Sequence, residues 1–288
     1  MNSYSFIVMS FILVGIKYFF AKIYYQNIYF MFLNRLGNKQ KLAKDISKYF
    51  CKHSCYIELF FGAGGMFFNK PKSSYNILND IDSNIYNCFS VLMRKKSELI
   101  EYLNYAPIDT NFWNECKTRP PDNEVEKAVY FLFLSNFGYL GKPDSLHFTP
   151  DKNSKNILLQ NIEKTYLQLV NNGNMFMNED FRNVLSNISF SHNYSKKNSF
   201  IYSDPPYFET AKYEKKWTEE DVNDNFDITF NSGINAAMSE FAHPFILETA
   251  KKHKLSVIPI KNRQTIKNRN TEILILNYNP TGVLFNIN

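Results

Sequence analysis

At 288 residues and 44% apolar, the chain can form a proper core, with length for one large domain or one domain carrying an inserted lobe. A net charge of +6 and a pI near 8.9 permit a polyanionic partner without demanding one. The four cysteines, Cys51, Cys55, Cys88 and Cys116, form no secreted disulfide framework, so composition speaks against a disulfide-stapled secreted domain and for a reduced, cytoplasmic chain.

From Phe6 to Leu33 the chain is almost wholly apolar and aromatic, broken by Lys17, Lys22, Gln26 and Asn27. Such a run is long enough for the ~30 Å hydrocarbon core of a bilayer, so a membrane anchor through residues 6–33 is one reading. Two lysines split it, and neither a small-residue cleavage site nor a second span makes it a clean signal peptide. The preferred expectation is that residues 1–30 are an upstream extension of the reading frame or an accessory segment, with the domain starting at Met31. Heavy use of Asn, Lys, Ile, Phe and Tyr suits an AT-rich genome, in which spurious upstream codons read as apolar and aromatic. Cys51-x-His53-x-Cys55 is not followed by a second pair at ligand spacing, so no metal is expected and the cysteines read as packing residues.

Tyr56-Ile57-Glu58-Leu59-Phe60 is a short apolar run that breaks into Phe61-Gly62-Ala63-Gly64-Gly65 and resumes at Met66. Strand, glycine turn and helix start is an arrangement that lets backbone approach a nucleotide closely. Tyr75 to Asn79 is a second strand ending in Asp80, an acid suited to ribose hydroxyls; capping of a helix starting near Ser83 is the alternative. Helical periodicity dominates 98–198, most clearly Glu124 to Phe137 and Asn156 to Val170. Ser199 to Ser203 then reads as a buried strand stopped by Asp204-Pro205-Pro206-Tyr207. The prolines stiffen the exit and leave carbonyls open to accept, so a carboxylate, a rigid acceptor and an aromatic face project together. Basic residues cluster at Lys212 to Lys216, Lys251 to Lys254 and Lys261 to Arg269, with Tyr213 and Trp217 interleaved with the first.

Taken in order, these motifs resemble the Dam-type, alpha-class DNA adenine-N6 methyltransferases. The likeness rests on the basic glycine segment Arg35-Leu36-Gly37-Asn38-Lys39, the Phe60 to Gly64 loop, Asn79-Asp80-Ile81, the Asp-Pro-Pro-Tyr motif, and a closing strand Thr271 to Tyr278 after Asn268-Arg269-Asn270. It implies a Rossmann-like methyltransferase sheet made of 31–97 and 199–288, with an inserted helical DNA-recognition region at 98–198. It also implies S-adenosyl-L-methionine as cofactor and double-stranded DNA as substrate, with a cognate restriction endonuclease as an optional partner in a restriction-modification pair.

Carried over by position, the resemblance puts Arg35, Lys39, Gly62, Gly64, Asp80 and Asp204 at the cofactor. Glu58 is a further strand-end carboxylate there or a buried structural one. Asp204 and the Pro205 carbonyl would accept from the adenine amino group, and Tyr207 would offer a face on which a flipped base stacks. Asn136 and Lys142, in the loop 135–142, and Lys212 with Tyr213 are candidate DNA contacts. That loop departs from the Asn-Arg-x-x-x-Asn-Gly pattern of the GATC methylases, which leaves the target sequence open. The alternatives are an amino-methyltransferase acting on RNA or protein, and a non-catalytic, membrane-tethered DNA-binding protein.

Overall fold

A computed structural model describes residues 32–35, 37–138, 153–191, 195–209, 217–264 and 269–280. After a 3-10 turn at Lys39–Lys41 come α1 (Ala43–Ser47), β1 (Cys55–Glu58), β2 (Tyr75–Asn79), α2 (Ser83–Tyr105), α3 (Thr110–Thr118), α4 (Glu124–Phe137) and α5 (Asn153–Val170). The second half supplies β3 (Gly173–Met177), α6 (Phe181–Val184), β4 (Ser199–Ser203), α7 (Glu219–Phe230), β5 (Asn235–Phe241), α8 (Pro244–Lys252), β6 (Ser256–Gln264) and β7 (Arg269–Leu276).

The strands form one sheet in the order β3-β2-β1-β4-β5-β7-β6, the expected Rossmann-like α/β arrangement. The first five are parallel, and β7 runs antiparallel to both β5 and β6. Every residue of β1 and β4 is buried, because helices cover both faces. Alternation sorts the side chains: Tyr56, Leu78, Phe200, Tyr202 and Leu274 face the core shared with α2 to α5, while Ile57, Ile77, Ile201, Met238 and Ile275 face α6 to α8. Side-chain caps start the helices. Asp82 accepts from the Asn84 N–H, Asn123 from those of Val125 and Glu126, and Thr218 and Asp221 form a capping box.

Three features depart from the sequence reading. No helix follows the glycine turn: residues 65–70 form turns, with bonds from Phe68 N–H to Gly64 O and from the Asn69 and Lys70 N–H groups to Met66 O, before Pro71 stops the chain. The segment 98–198 is not helical throughout: after α5 ends at Val170, β3 joins the sheet edge in parallel register with β2, and the short α6 follows it. Phe32 and Leu33, the end of the apolar run proposed to span a membrane through residue 33, are buried in the domain core, where Phe32 packs 5.0 Å from Phe89. Residues 6–31 of that run lie outside the described residues. Among the described residues no helix is long and apolar enough to cross a membrane.

Candidate active site

A cavity of about 360 Å³ opens at the carboxyl ends of β1, β2 and β4. The chain turns from β1 to one side of the sheet and reaches β4 on the other, so this is the switch point where α/β sheets bind ligands. Of the residues expected at the cofactor, Arg35, Lys39, Gly62, Asp80 and Asp204 line the cavity, as do Pro205 and Tyr207. Gly64 does not. Its φ of +74° suits glycine, and a Cβ there would lie 2.5 Å from Phe68 Cε2, so the phenyl rings leave room for no side chain. Gly62, at φ +55°, has nothing within 4 Å of a Cβ position and meets the open cavity.

Asp80 is not the helix cap; Asp82, two residues on, is. The Asp80 carboxylate instead ties the loop together, accepting from the Gly62 N–H at 2.7 Å and the Asp82 N–H at 2.9 Å. Each oxygen keeps a second lone pair for a ligand. Burial raises its pKa, with both N–H bonds opposing. Arg35 reaches the same corner through an ion pair of 2.8 Å with Asp82. Glu58 has both proposed characters: it lines the cavity, and it is 2% exposed, accepting from Tyr56 Oη at 3.0 Å. Burial lifts its carboxyl well above the usual range, which favours the neutral acid.

At the end of β4, Ser203 Oγ donates to Asn225 of α7 at 3.0 Å, anchoring the strand just before Asp204. Lys39, expected to face the cofactor, pairs with Asp204 Oδ1 at 2.8 Å and with Glu272 of β7 at 3.3 Å, and is 4% exposed. Asp204 Oδ1 is thus held by the ammonium, the Tyr207 hydroxyl also bonds the carboxylate, and the residue lines the cavity. Burial raises the Asp204 pKa against the pull of the Lys39 ammonium. Tyr207 does not present the open stacking face expected of it. The residue is 8% exposed, Lys39 Nζ lies over its ring at 4.5 Å, Phe241 meets it in a T at 4.5 Å, and its hydroxyl donates to Glu272 at 2.9 Å.

Of the DNA candidates, Asn136 is occupied: its Nδ2 donates to the Phe32 and Leu132 carbonyls at 3.1 and 2.9 Å. It therefore ties the end of α4 to the segment before Arg35. Lys142, Lys212 and Tyr213 lie outside the described residues. Sequence reading missed Asp180, Phe181, Arg182 and Phe241 in the cavity wall, and Trp217 there was noticed only as one aromatic in a basic cluster. Phe60, Phe181 and Trp217 form an aromatic wall with centroids 5.3 to 5.8 Å apart, and Trp217 Nε1 is buried without a hydrogen-bond partner among the described residues. The signal for Phe181 was the unread strand β3 that ends just ahead of it.

Glu240, at the end of β5 and 1% exposed, is the remaining acid of this corner. Burial pushes it up to about 8 although the Phe241 and Phe208 N–H groups donate to its oxygens. A raised carboxyl pKa means that the folded state binds the proton more tightly. This stabilisation is full below the ordinary 4.5 and is lost as pH rises through about 8. Glu240→Gln should flatten that slope, narrowing the difference in Tm between about pH 5 and about pH 9. An unchanged difference would show Glu240 ionised throughout.

Residues 36–275 match the family of D12 class N6 adenine-specific DNA methyltransferases. The DNA adenine methylase of Escherichia coli K12 is 32% identical over 119 residues, 38% of this chain and 41% of that protein. The match thus spans about two fifths of that relative's own length. A type II methyltransferase of Lactococcus lactis subsp. cremoris, M1.LlaDCHI, is 23% identical over 273 residues, 84% of this chain and 93% of its own. The DNA adenine methylase of Haemophilus influenzae is 28% identical over 194 residues, 61% of this chain and 63% of that one. With the family's match covering the cavity's residues from Gly37 to Phe241, the chain belongs to the D12 class N6 adenine-specific DNA methyltransferases.

Proposed function

We propose that this protein transfers a methyl group from S-adenosylmethionine to N6 of adenine in double-stranded DNA, with the target base flipped from the helix. The observation that carries the reading is Asp204 at a rigid strand end, fixed through Oδ1 by Lys39, in the wall of a cavity that Gly62 and Asp80 also line. A nucleoside-sized cofactor suits that cavity's volume. The two remaining lone pairs of Asp80 suit ribose hydroxyls, and the buried Trp217 Nε1–H is a donor that a bound heterocycle would satisfy. When bound, S-adenosylmethionine supplies a methyl already activated on a sulfonium.

The chain's own part is alignment and electrostatics. Adenine N6 is a poor nucleophile because its lone pair is delocalised into the ring. Asp204 Oδ2 and the Pro205 carbonyl accept its two hydrogens, bias the nitrogen toward tetrahedral geometry and stabilise the positive charge that grows on it. Flipping is required because the amino group is otherwise stacked in the duplex, and the cavity-facing edge of Tyr207 borders the space the base would enter.

DNA recognition belongs in this reading to the 98–198 region. Ser135 Oγ bonds both the N–H and the carbonyl of Asn34 at 2.9 and 2.8 Å, so the chain leaving α4 starts close to Arg35 at the cavity. The Lactococcus relative is named a type II methyltransferase, and by analogy a cognate endonuclease is the partner proposed here. A DNA substrate also agrees with a cytoplasmic location.

Plasmid DNA from a host without adenine methylation of its own should gain 6-methyladenine when the protein is expressed, measured by mass spectrometry of its nucleosides. Label appearing in RNA or protein but not in DNA would overturn the assignment. Asp80→Ala should weaken S-adenosylmethionine binding by roughly tenfold or more, the loss expected for hydrogen bonds to a charged group, while DNA affinity changes little. Calorimetry that finds cofactor binding unchanged would reduce Asp80 to a tether of the Gly62 loop.

A further inference from the structure

We propose that Glu272 of β7 is a positioning residue for methyl transfer, holding Tyr207 by its hydroxyl and Lys39 by its ammonium and, through them, the carboxylate of Asp204. The inference rests on the proposed role of Asp204 and extends it to a strand 68 positions away, at the other end of the catalytic half.

Glu272 is fully buried, and alternation along β7 puts it on the same face as Leu274 and Leu276, both core residues. A leucine there would simply extend the core. A buried carboxylate is unfavourable unless paired, and among the described residues Oε1 of this one is held by Tyr207 Oη at 2.9 Å and Lys39 Nζ at 3.3 Å. Its position follows from the reversed direction of β7. Because β7 is antiparallel to β5, its amino-terminal part lies at the carboxyl ends of the parallel strands, with Glu272 opposite Phe241 at the cavity wall. The network closes on itself: Lys39 bridges Glu272 to Asp204 and lies over the ring whose hydroxyl Glu272 accepts. Three segments distant in sequence thereby fix one reactive oxygen pair.

The charged and titratable groups around Asp204 are Lys39 from the 3-10 turn, Glu272 from β7, Glu240 from β5, Glu58 and Tyr56 from β1, and Tyr202 and Tyr207 on its own segment. Among them Lys39 lowers and Glu272 raises the Asp204 pKa, so removing each should move it in opposite directions.

The test uses full-length protein in single-turnover methylation across pH, with Glu272→Gln, Tyr207→Phe, their double variant, Lys39→Met and an Asp204→Ala control. Glu272→Gln is expected to lower kcat about tenfold or more with KM for cofactor and DNA within about threefold, and the double variant should be no worse than the more impaired single. The acid limb of the pH profile should shift down in Glu272→Gln and up in Lys39→Met, which a purely structural role would not produce. Multiplicative single effects with an unmoved acid limb would overturn the clamp while a dead Asp204→Ala leaves the active-site reading standing. An active Asp204→Ala would instead refute that reading. If Glu272→Gln fails to fold, Tyr207→Phe still decides, since it keeps the ring and removes only the hydroxyl with its bonds to Glu272 and Asp204: a kcat equal to wild type refutes the clamp.

Discussion

Asp204→Ala is expected to slow methyl transfer by about a hundred- to a thousandfold, the scale on which a single preorganised group at a developing charge acts. The loss falls on kcat, because the acceptor is needed where positive charge grows on N6 and not where the cofactor binds. The fold should survive. Asp204 ends β4 and its side chain is 16% exposed, so truncation opens no core cavity, and Lys39 keeps Glu272 at 3.3 Å as a partner. Asp204→Asn keeps a carbonyl acceptor without the charge and should fall between. Rapid-quench measurement with a labelled methyl donor, beside a melting curve, checks both halves; a rate within tenfold of wild type would remove Asp204 from the chemistry.

Lys39→Met should be the most destabilising change in the site, by about 3–5 kcal/mol, because it leaves Asp204 and Glu272 buried without their shared cation. The pH dependence has a definite sign. Burial already holds the Asp204 pKa above the usual carboxylate range, and loss of the opposing ammonium raises it further. A raised folded-state pKa gives stability that is present at low pH and is lost as pH rises through it. The deficit against wild type should therefore be smaller near pH 5 than near pH 8 in urea unfolding. A deficit below about 1 kcal/mol at both pH values would mark the pair as effectively solvated.

How much of this site can be read without coordinates depends on how local each signal is. Asp204-Pro205-Pro206-Tyr207 is legible because an apolar run stopped by two prolines is a strand end in any context. Gly62 and Asp80 are legible for the same reason, each closing a short strand that pairs directly with its neighbour, β1 with β2. Their partners are another matter. The Asp80 bonds to the Gly62 and Asp82 N–H groups, and the choice of Asp82 as cap, turn on backbone geometry that two adjacent acids leave ambiguous. That Gly64 is packed against phenyl rings could not be read locally, since only the folded positions of Phe61 and Phe68 reveal what a Cβ would strike.

Apolar runs and breakers by themselves determined which strands end in reactive groups, and the order of the motifs they carry is what resembles the methyltransferase family, because those properties are written in residues near one another. Tertiary structure alone decided what each group faces. Residues 173–177 became an edge strand because β2 offered an unpaired edge, which brought Phe181 to the cavity. Lys39, in the cavity wall, pairs with Asp204, and Tyr207 is buried where an open face was expected, because an antiparallel β7 carries Glu272 to the end of the sheet where they meet. Burial then set the proton affinities of Asp204, Glu58 and Glu240, since desolvation depends on everything that surrounds a carboxyl and on nothing in its immediate sequence.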